Sequence, residues 1–180
     1  MQTLKYLTIA LVTIIAIALI VALFLKKEYT VERQITIDLP KDSIYNYIKY
    51  LKNQNNYSKW ASMDTQMKKE FKGTDGTIGF VSAWDSYKKE VGKGEQTIKA
   101  MLENERIEYN IHFIKPFEGF ADACMTLDSI GTKQTIVRWG FVGKMKYPMN
   151  LMLLFMNMDK MIGDDLSIGL TNLKDLLEKK

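Results

Sequence analysis

Residues Lys93 to Val142 read KGEQTIKAMLENERIEYNIHFIKPFEGFADACMTLDSIGTKQTIVRWGFV. Apolar residues recur here at every second position. Ile107, Tyr109, Ile111 and Phe113 fall on one face, with Glu108, Asn110 and His112 on the other. That alternation is the signature of half-buried strands. Glu103-Asn104, Pro116 and Gly131 punctuate it, giving strands over Lys93–Leu102, Arg106–Ile114, Gly119–Ser129 and Lys133–Val142. Connections this short predict an antiparallel meander.

Working outward, the pattern continues upstream in Met67–Lys72 and Thr77–Trp84, separated by Gly73-Thr74-Asp75-Gly76. Gly92 and Gly94 at the start of the next strand predict a bulge. Glu28–Asp38 alternates as a first strand, with Val31, Arg33, Ile35 and Ile37 on one face. Leu39-Pro40-Lys41-Asp42 breaks it, and Asp42 or Ser43 can cap a helix of about ten residues carrying Ile44, Tyr45, Ile48 and Leu51. Tyr57-Ser58-Lys59-Trp60 is a short aromatic turn or helix. Downstream, Pro148 is placed to open a long helix. Its stripe is Leu151, Phe155, Met158, Ile162, Leu166, Gly169, Leu170, Leu173 and Leu177, and it runs to Lys180.

The order is therefore strand, helix, six strands, long helix, an α+β arrangement. An antiparallel sheet with one apolar face must cover that face. The expectation is a curved sheet of about seven strands wrapped around the C-terminal helix. A bent sheet and a straight rod leave a gap between them, which is a candidate pocket.

The N-terminus is a different object. Tyr6 to Leu25 carries no charge, and outside it the apolar share falls from 47% to about 42%, an ordinary globular value. At ~1.5 Å per residue the run spans roughly 30 Å, the thickness of a bilayer core. It ends in Leu23-Phe24-Leu25-Lys26-Lys27 without a small-residue cleavage site, so an uncleaved single-span anchor is expected rather than a signal peptide. The expected division is a head at 1–5, a transmembrane anchor at 6–25, a linker at 26–29 and one domain at 30–180. The linker reaches about 14 Å at most, holding the domain almost on the membrane. Lys5, Lys26 and Lys27 supply three charges of the net +4, so the domain carries no electrostatic footprint for nucleic acid. Lysines flank the run on both sides. The count of Lys26, Lys27 and Arg33 against Lys5 and the amino terminus leans slightly toward a cytoplasmic domain, whereas the short basic head leans the reading toward an extracytoplasmic one.

The chain resembles the START-like (SRPBCC) superfamily, which includes Bet v 1-type allergens and polyketide cyclases. The pieces that carry the resemblance are Val31 to Ile37 followed by Pro40, Tyr57 to Trp60, Val91 to Gly94, Arg106 to Tyr109, Lys115-Pro116-Phe117-Glu118-Gly119, and Phe155 to Gly163 with Asp159-Lys160. Within the superfamily it looks most like the bacterial polyketide cyclase/dehydrase and lipid-transport type. The resemblance implies a helix-grip domain with a hydrophobic cavity for lipids, polyketides or similar apolar molecules, and no shared catalytic triad. The N-terminal span is an addition to the bare family domain.

The residues expected around the cavity are Trp60, Phe80, Trp84, Tyr109, Phe113 and Trp139, with Met152, Phe155 and Met156 from the C-terminal helix. Met145, Met149, Met152, Met156, Met158 and Met161 cluster there, and flexible thioethers suit varied apolar ligands. The plainer reading is that these residues fill a core. With one histidine and one cysteine no zinc cluster or Ser-His-Asp site forms without His112, and strand phase points His112 to solvent. Cys124 reads as a packing residue. Asp159, Asp164 and Asp165 read as surface charge, with Asp159 open to an ion pair. No cofactor, metal or catalytic constellation is identifiable. Tyr109, Asp122, Glu95 and His112 are the groups an enzyme would have to use. Three functions stay open: a membrane-anchored binding or transfer module for a hydrophobic small molecule, a cyclase- or dehydratase-like enzyme, and an interaction domain with an unknown protein partner.

Overall fold

The structure is a computed structural model describing residues 1–179; Lys180, the expected end of the last helix, lies outside the described residues. A helix α1 (Gln2–Phe24) precedes β1 (Glu28–Ile37), α2 (Lys41–Ile48), a 3-10 turn (Leu51–Asn56) and the short α3 (Lys59–Met63). The meander follows as β2 (Lys68–Lys72), β3 (Val81–Asp85), β4 (Lys93–Leu102), β5 (Arg106–Lys115), β6 (Gly119–Ile130) and β7 (Gln134–Lys144). A second 3-10 turn (Met149–Leu154) leads into α4 (Met158–Glu178). The seven strands form one antiparallel sheet in the order β1-β7-β6-β5-β4-β3-β2. Only β1 is out of sequence order, and it closes the sheet by pairing with β7.

Strand parity decides the layers. Val31, Ile37, Ile98, Ile107, Tyr109, Met125, Leu127, Val137 and Trp139 are buried on the concave face. They meet Leu166, Leu170, Leu173 and Leu177 from α4, which recur at helical spacing. Gly169 lets the helix come close, since a Cβ there would stand 2.8 Å from the Trp139 ring. Twenty-one residues at ~1.5 Å rise make α4 about 31 Å long, enough to cross the sheet.

The helix expected from Pro148 begins ten residues later. The Asn157 side chain accepts from the Lys160 N–H at 2.9 Å and Asp159 sits in the first turn, which together fix the start of α4. The Met149–Leu154 segment turns instead as a 3-10 element, a form that rarely runs long. The first strand's arginine, on an otherwise apolar face, has its reason here. Arg33 grips both Asp159 carboxylate oxygens at 2.9 Å and the Asp159 carbonyl at 2.8 Å. Gly163 makes room, because a Cβ there would overlap the guanidinium. The clamp ties the start of α4 to β1.

The Arg33 guanidinium holds the Asp159 carboxyl below its ordinary value. A depressed carboxylate contributes stability above its unfolded pKa of about 4 and loses it as pH falls through the lower folded value. Asp159→Asn is therefore expected to lower stability at neutral pH and to flatten the further loss below about pH 4. Thermal melts of both proteins across acid pH check this; parallel curves would remove the clamp from the account.

One strand boundary and one helix boundary also differ from expectation. The β3 ladder begins at Val81 rather than Thr77, because Gly76 and Gly79 take left-handed φ of 81° and 88°. The helix after Pro40 is eight residues, starts at Lys41 and has no side-chain cap, with Asp42 inside its first turn. The bulge expected near Gly92 is present as a register shift at Lys93/Gly94.

Candidate functional site

Between the concave face, α3, the start of α4 and the β3–β4 and β5–β6 connections lies a cavity of about 380 Å³. Its walls are mostly apolar. Trp84 lies flat over β4 because Gly94 has no side chain; a Cβ there would sit 2.6 Å from the indole. The Trp84 Nε1–H donates to the Val91 carbonyl at 3.2 Å, and Phe113 meets its ring edge-on at 6.2 Å. On the other side Trp60 from α3 stands edge-on to Trp139 at 6.3 Å, and Trp139 in turn meets Tyr57 at 5.7 Å. Ile162 and Leu166 roof the space from α4. Ala123, small and inward-facing on β6, leaves it open.

Polar residues share the lining, among them Asn55, Ser58, Lys69, Ser82 and Glu90, and the informative one is Gln96. Gln96 sits on the inward parity of β4, opposite Ile111. Its Nε2 is buried and has no hydrogen-bond partner among the described residues. A buried amide donor left unpaired costs free energy. At one end the cavity is framed by Lys115, Pro116 and Phe117, and Phe117 is 76% exposed.

Of the residues singled out in the sequence, Trp60, Trp84, Phe113, Trp139, Lys115, Pro116 and Phe117 come together around this space. Phe80 and Tyr109 do not. Phe80 stacks on Phe71 at 6.1 Å in the core beneath the Lys52 ammonium. Tyr109 is buried with Tyr57, and burial pushes its phenol well above the ordinary value, so it stays protonated. Met152, Phe155 and Met156 fall outside as well, because α4 starts after them and the 3-10 turn carries them off the sheet; Phe155 is 86% exposed. Asp159 faces Arg33, and Lys160 contributes its backbone N–H to the Asn157 cap.

His112, Glu95 and Asp122 lie on the outer face. His112 stacks on Phe120 at 4.4 Å and lies 3.3 Å from Glu118. Cys124 is half-buried on that face near Gly140, and burial raises its thiol. Gln96, Ile111, Ala123 and Val91 line the cavity without having been singled out. For Gln96 a signal existed, since it is a polar residue sharing inward parity with Ile98.

The fold is the helix-grip fold of Bet v 1-like proteins. Norcoclaurine synthase from Thalictrum flavum, solved in complex with dopamine and hydroxybenzaldehyde, superposes with a TM-score of 0.64 at 9% identity, covering 84% of this chain and 87% of that one. Ara h 8.0201 does so at 0.58 and 10% identity over 85% and 99% of the two chains. Protein CV1439 from Chromobacterium violaceum gives 0.58 and 12% identity over 83% and 96%. No protein-family model and no curated protein sequence matches the chain.

Proposed function

We propose that this chain is a START-like module that holds a hydrophobic small molecule, lipid- or polyketide-like, in the cavity between sheet and α4, tethered by α1 to a membrane. The observation that carries the reading is the apolar cavity with one buried, unpartnered donor at Gln96. Its volume falls in the range of small-molecule sites, about 300–1,000 Å³. The ligand this favours is an apolar body bearing one oxygen acceptor, such as a carbonyl or hydroxyl. The dopamine and hydroxybenzaldehyde held by norcoclaurine synthase are small molecules with such oxygens.

The anchor reading rests on α1, which is long and apolar enough to span a bilayer and is exposed at every residue from Met1 to Ile17. Support for its retention comes from Asn150. This side chain is fully buried and donates to the Ala22 carbonyl at 2.7 Å and the Leu25 carbonyl at 3.3 Å. Cleaving a leader here would strand that buried amide. The side is set by two opposed signals, the short basic head that leans toward an extracytoplasmic domain and the larger count at Lys26, Lys27 and Arg33 that leans toward a cytoplasmic one.

The test is native mass spectrometry of the full chain loaded with two dyes. Prodan carries a ketone; diphenylhexatriene has no acceptor. Gln96→Leu is expected to reduce prodan retention roughly tenfold, the worth of one hydrogen bond, and leave diphenylhexatriene unchanged. The same variant should melt higher, because an unpaired amide leaves the interior. Equal retention of prodan by both proteins would sink the Gln96 assignment, and no retention of either dye would sink the cavity reading.

A further inference from the structure

The sheet register sorts the connections onto two ends of the domain. Glu28 pairs with Lys144, Ala121 with Gly143, Phe113 with Gly119, Lys93 with both Lys115 and Asp85, and Asp85 with Lys68. The start of β1, the β5–β6 turn, the β3–β4 connection and the start of β2 therefore lie at one end. That is the end where α1 joins, through Leu25-Lys26-Lys27 alone. Met145 extends the ladder back to Lys27 with a 2.8 Å hydrogen bond, so the junction is itself part of the sheet. The Asn150 bonds to Ala22 and Leu25 brace the last turn of α1 against the second 3-10 turn. The helix and this end of the sheet are one continuous piece of hydrogen-bonded structure.

The same end carries unusual surface. Tyr87 of the β3–β4 connection is 105% exposed, and Phe117 and Phe155 stand out at 76% and 86%. Leu154, Met149 and Phe24 are exposed as well. Charge gathers there too. Segments 26–28, 64–68, 85–93, 115–119 and 144–148 hold nine lysines and five carboxylates, a net +4 that matches the whole chain's. Lysines around protruding aromatic and aliphatic side chains are the composition of a membrane-interfacial surface. Lys115, Pro116 and Phe117 belong both to this surface and to the cavity lining.

We propose that this end of the sheet seats on an anionic bilayer, with Phe117, Tyr87 and Leu154-Phe155 below the headgroups, so that the cavity end framed by Lys115, Pro116 and Phe117 faces lipid. The occupant of the exposed apolar surface is thus the bilayer itself, and the ligand enters laterally from it without crossing water. The proposal rests on the reading that α1 spans the membrane. The three-residue junction and the Asn150 brace then leave the domain little freedom to face any other way.

The experiment uses the full chain with Cys124→Ser, carrying Phe117→Cys, Tyr87→Cys, Phe155→Cys or, at the opposite end between β4 and β5, Asn104→Cys. Each is labelled with a nitrobenzoxadiazole dye and reconstituted in phosphatidylcholine–phosphatidylglycerol vesicles. Emission at 117, 87 and 155 is expected to shift to the blue and to fall at least about twofold with doxyl-labelled lipid, with no change at 104. Labels at 117 and 155 that aqueous iodide quenches as readily as the one at 104, in protein that resists alkaline extraction, would overturn the docking and leave the anchor intact. Release of the protein by alkaline carbonate would overturn the anchor, and the docking with it.

Discussion

Trp139→Ala is expected to destabilise the domain by about 3–5 kcal/mol, the range for deleting a large buried aromatic side chain. Trp139 is 2% exposed on β7, at the junction of three structural layers. Tyr57 and Trp60 meet it edge-on from the segment after α2, and α4 comes down on it at Gly169. Such edge-to-face pairs add to the area buried. The glycine makes collapse into the vacated space depend on moving the whole helix, so most of the cavity would remain. A domain of ordinary stability, about 5–15 kcal/mol, would be left marginal. Denaturant titration of the full chain in detergent reads the loss directly. A change under about 1 kcal/mol would mean that the sheet and α4 hold together without this ring.

Ala123→Phe is expected to abolish ligand retention while the protein stays folded. Ala123 is inward-facing on β6, paired with Tyr109 and Phe141 on its neighbours, and borders the cavity. A phenyl group at that position points into existing space, so the cost stays at or below the roughly 1–3 kcal/mol typical of overpacking. Dye retention should fall more than tenfold in native mass spectra, a difference above about 1.4 kcal/mol in binding. Retention at the parent level would place the binding site somewhere other than between sheet and helix. Together with Gln96→Leu, which removes the polar contact and keeps the volume, this separates shape from hydrogen bonding.

Much of the architecture was legible because β-structure writes its parity into the chain. Ile107, Tyr109, Ile111 and Phe113 can share a face only in a strand, and the short breaks at Glu103-Asn104 and Gly131 allow only antiparallel neighbours. Leu166, Leu170, Leu173 and Leu177 are equally plain as a helical stripe. The start of that helix was harder. Pro148 and Asn157 are both acceptable openings, and choosing between them requires knowing that the 148–156 segment packs elsewhere. The cavity list failed in the same place. Met152, Phe155 and Met156 look like pocket residues only if they are on α4.

Local pattern determined the strands, the seven-stranded count, the long apolar α1 and the closing helix, because each depends on residues a few positions apart. Tertiary structure decided what each buried side chain is for. Phe80 and Phe113 have the same parity signal, yet one packs in the core and the other borders open space. Arg33 and Asp159 lie 126 residues apart and become a clamp only when α4 crosses β1. Asn150 gains its meaning from carbonyls of Ala22 and Leu25, and Gln96 from a volume enclosed by elements that are distant in the chain. Periodicity reports which face is inward. Whether that face meets atoms or space depends on how closely a straight helix can follow a curved sheet, and that distance is a property of the assembled fold.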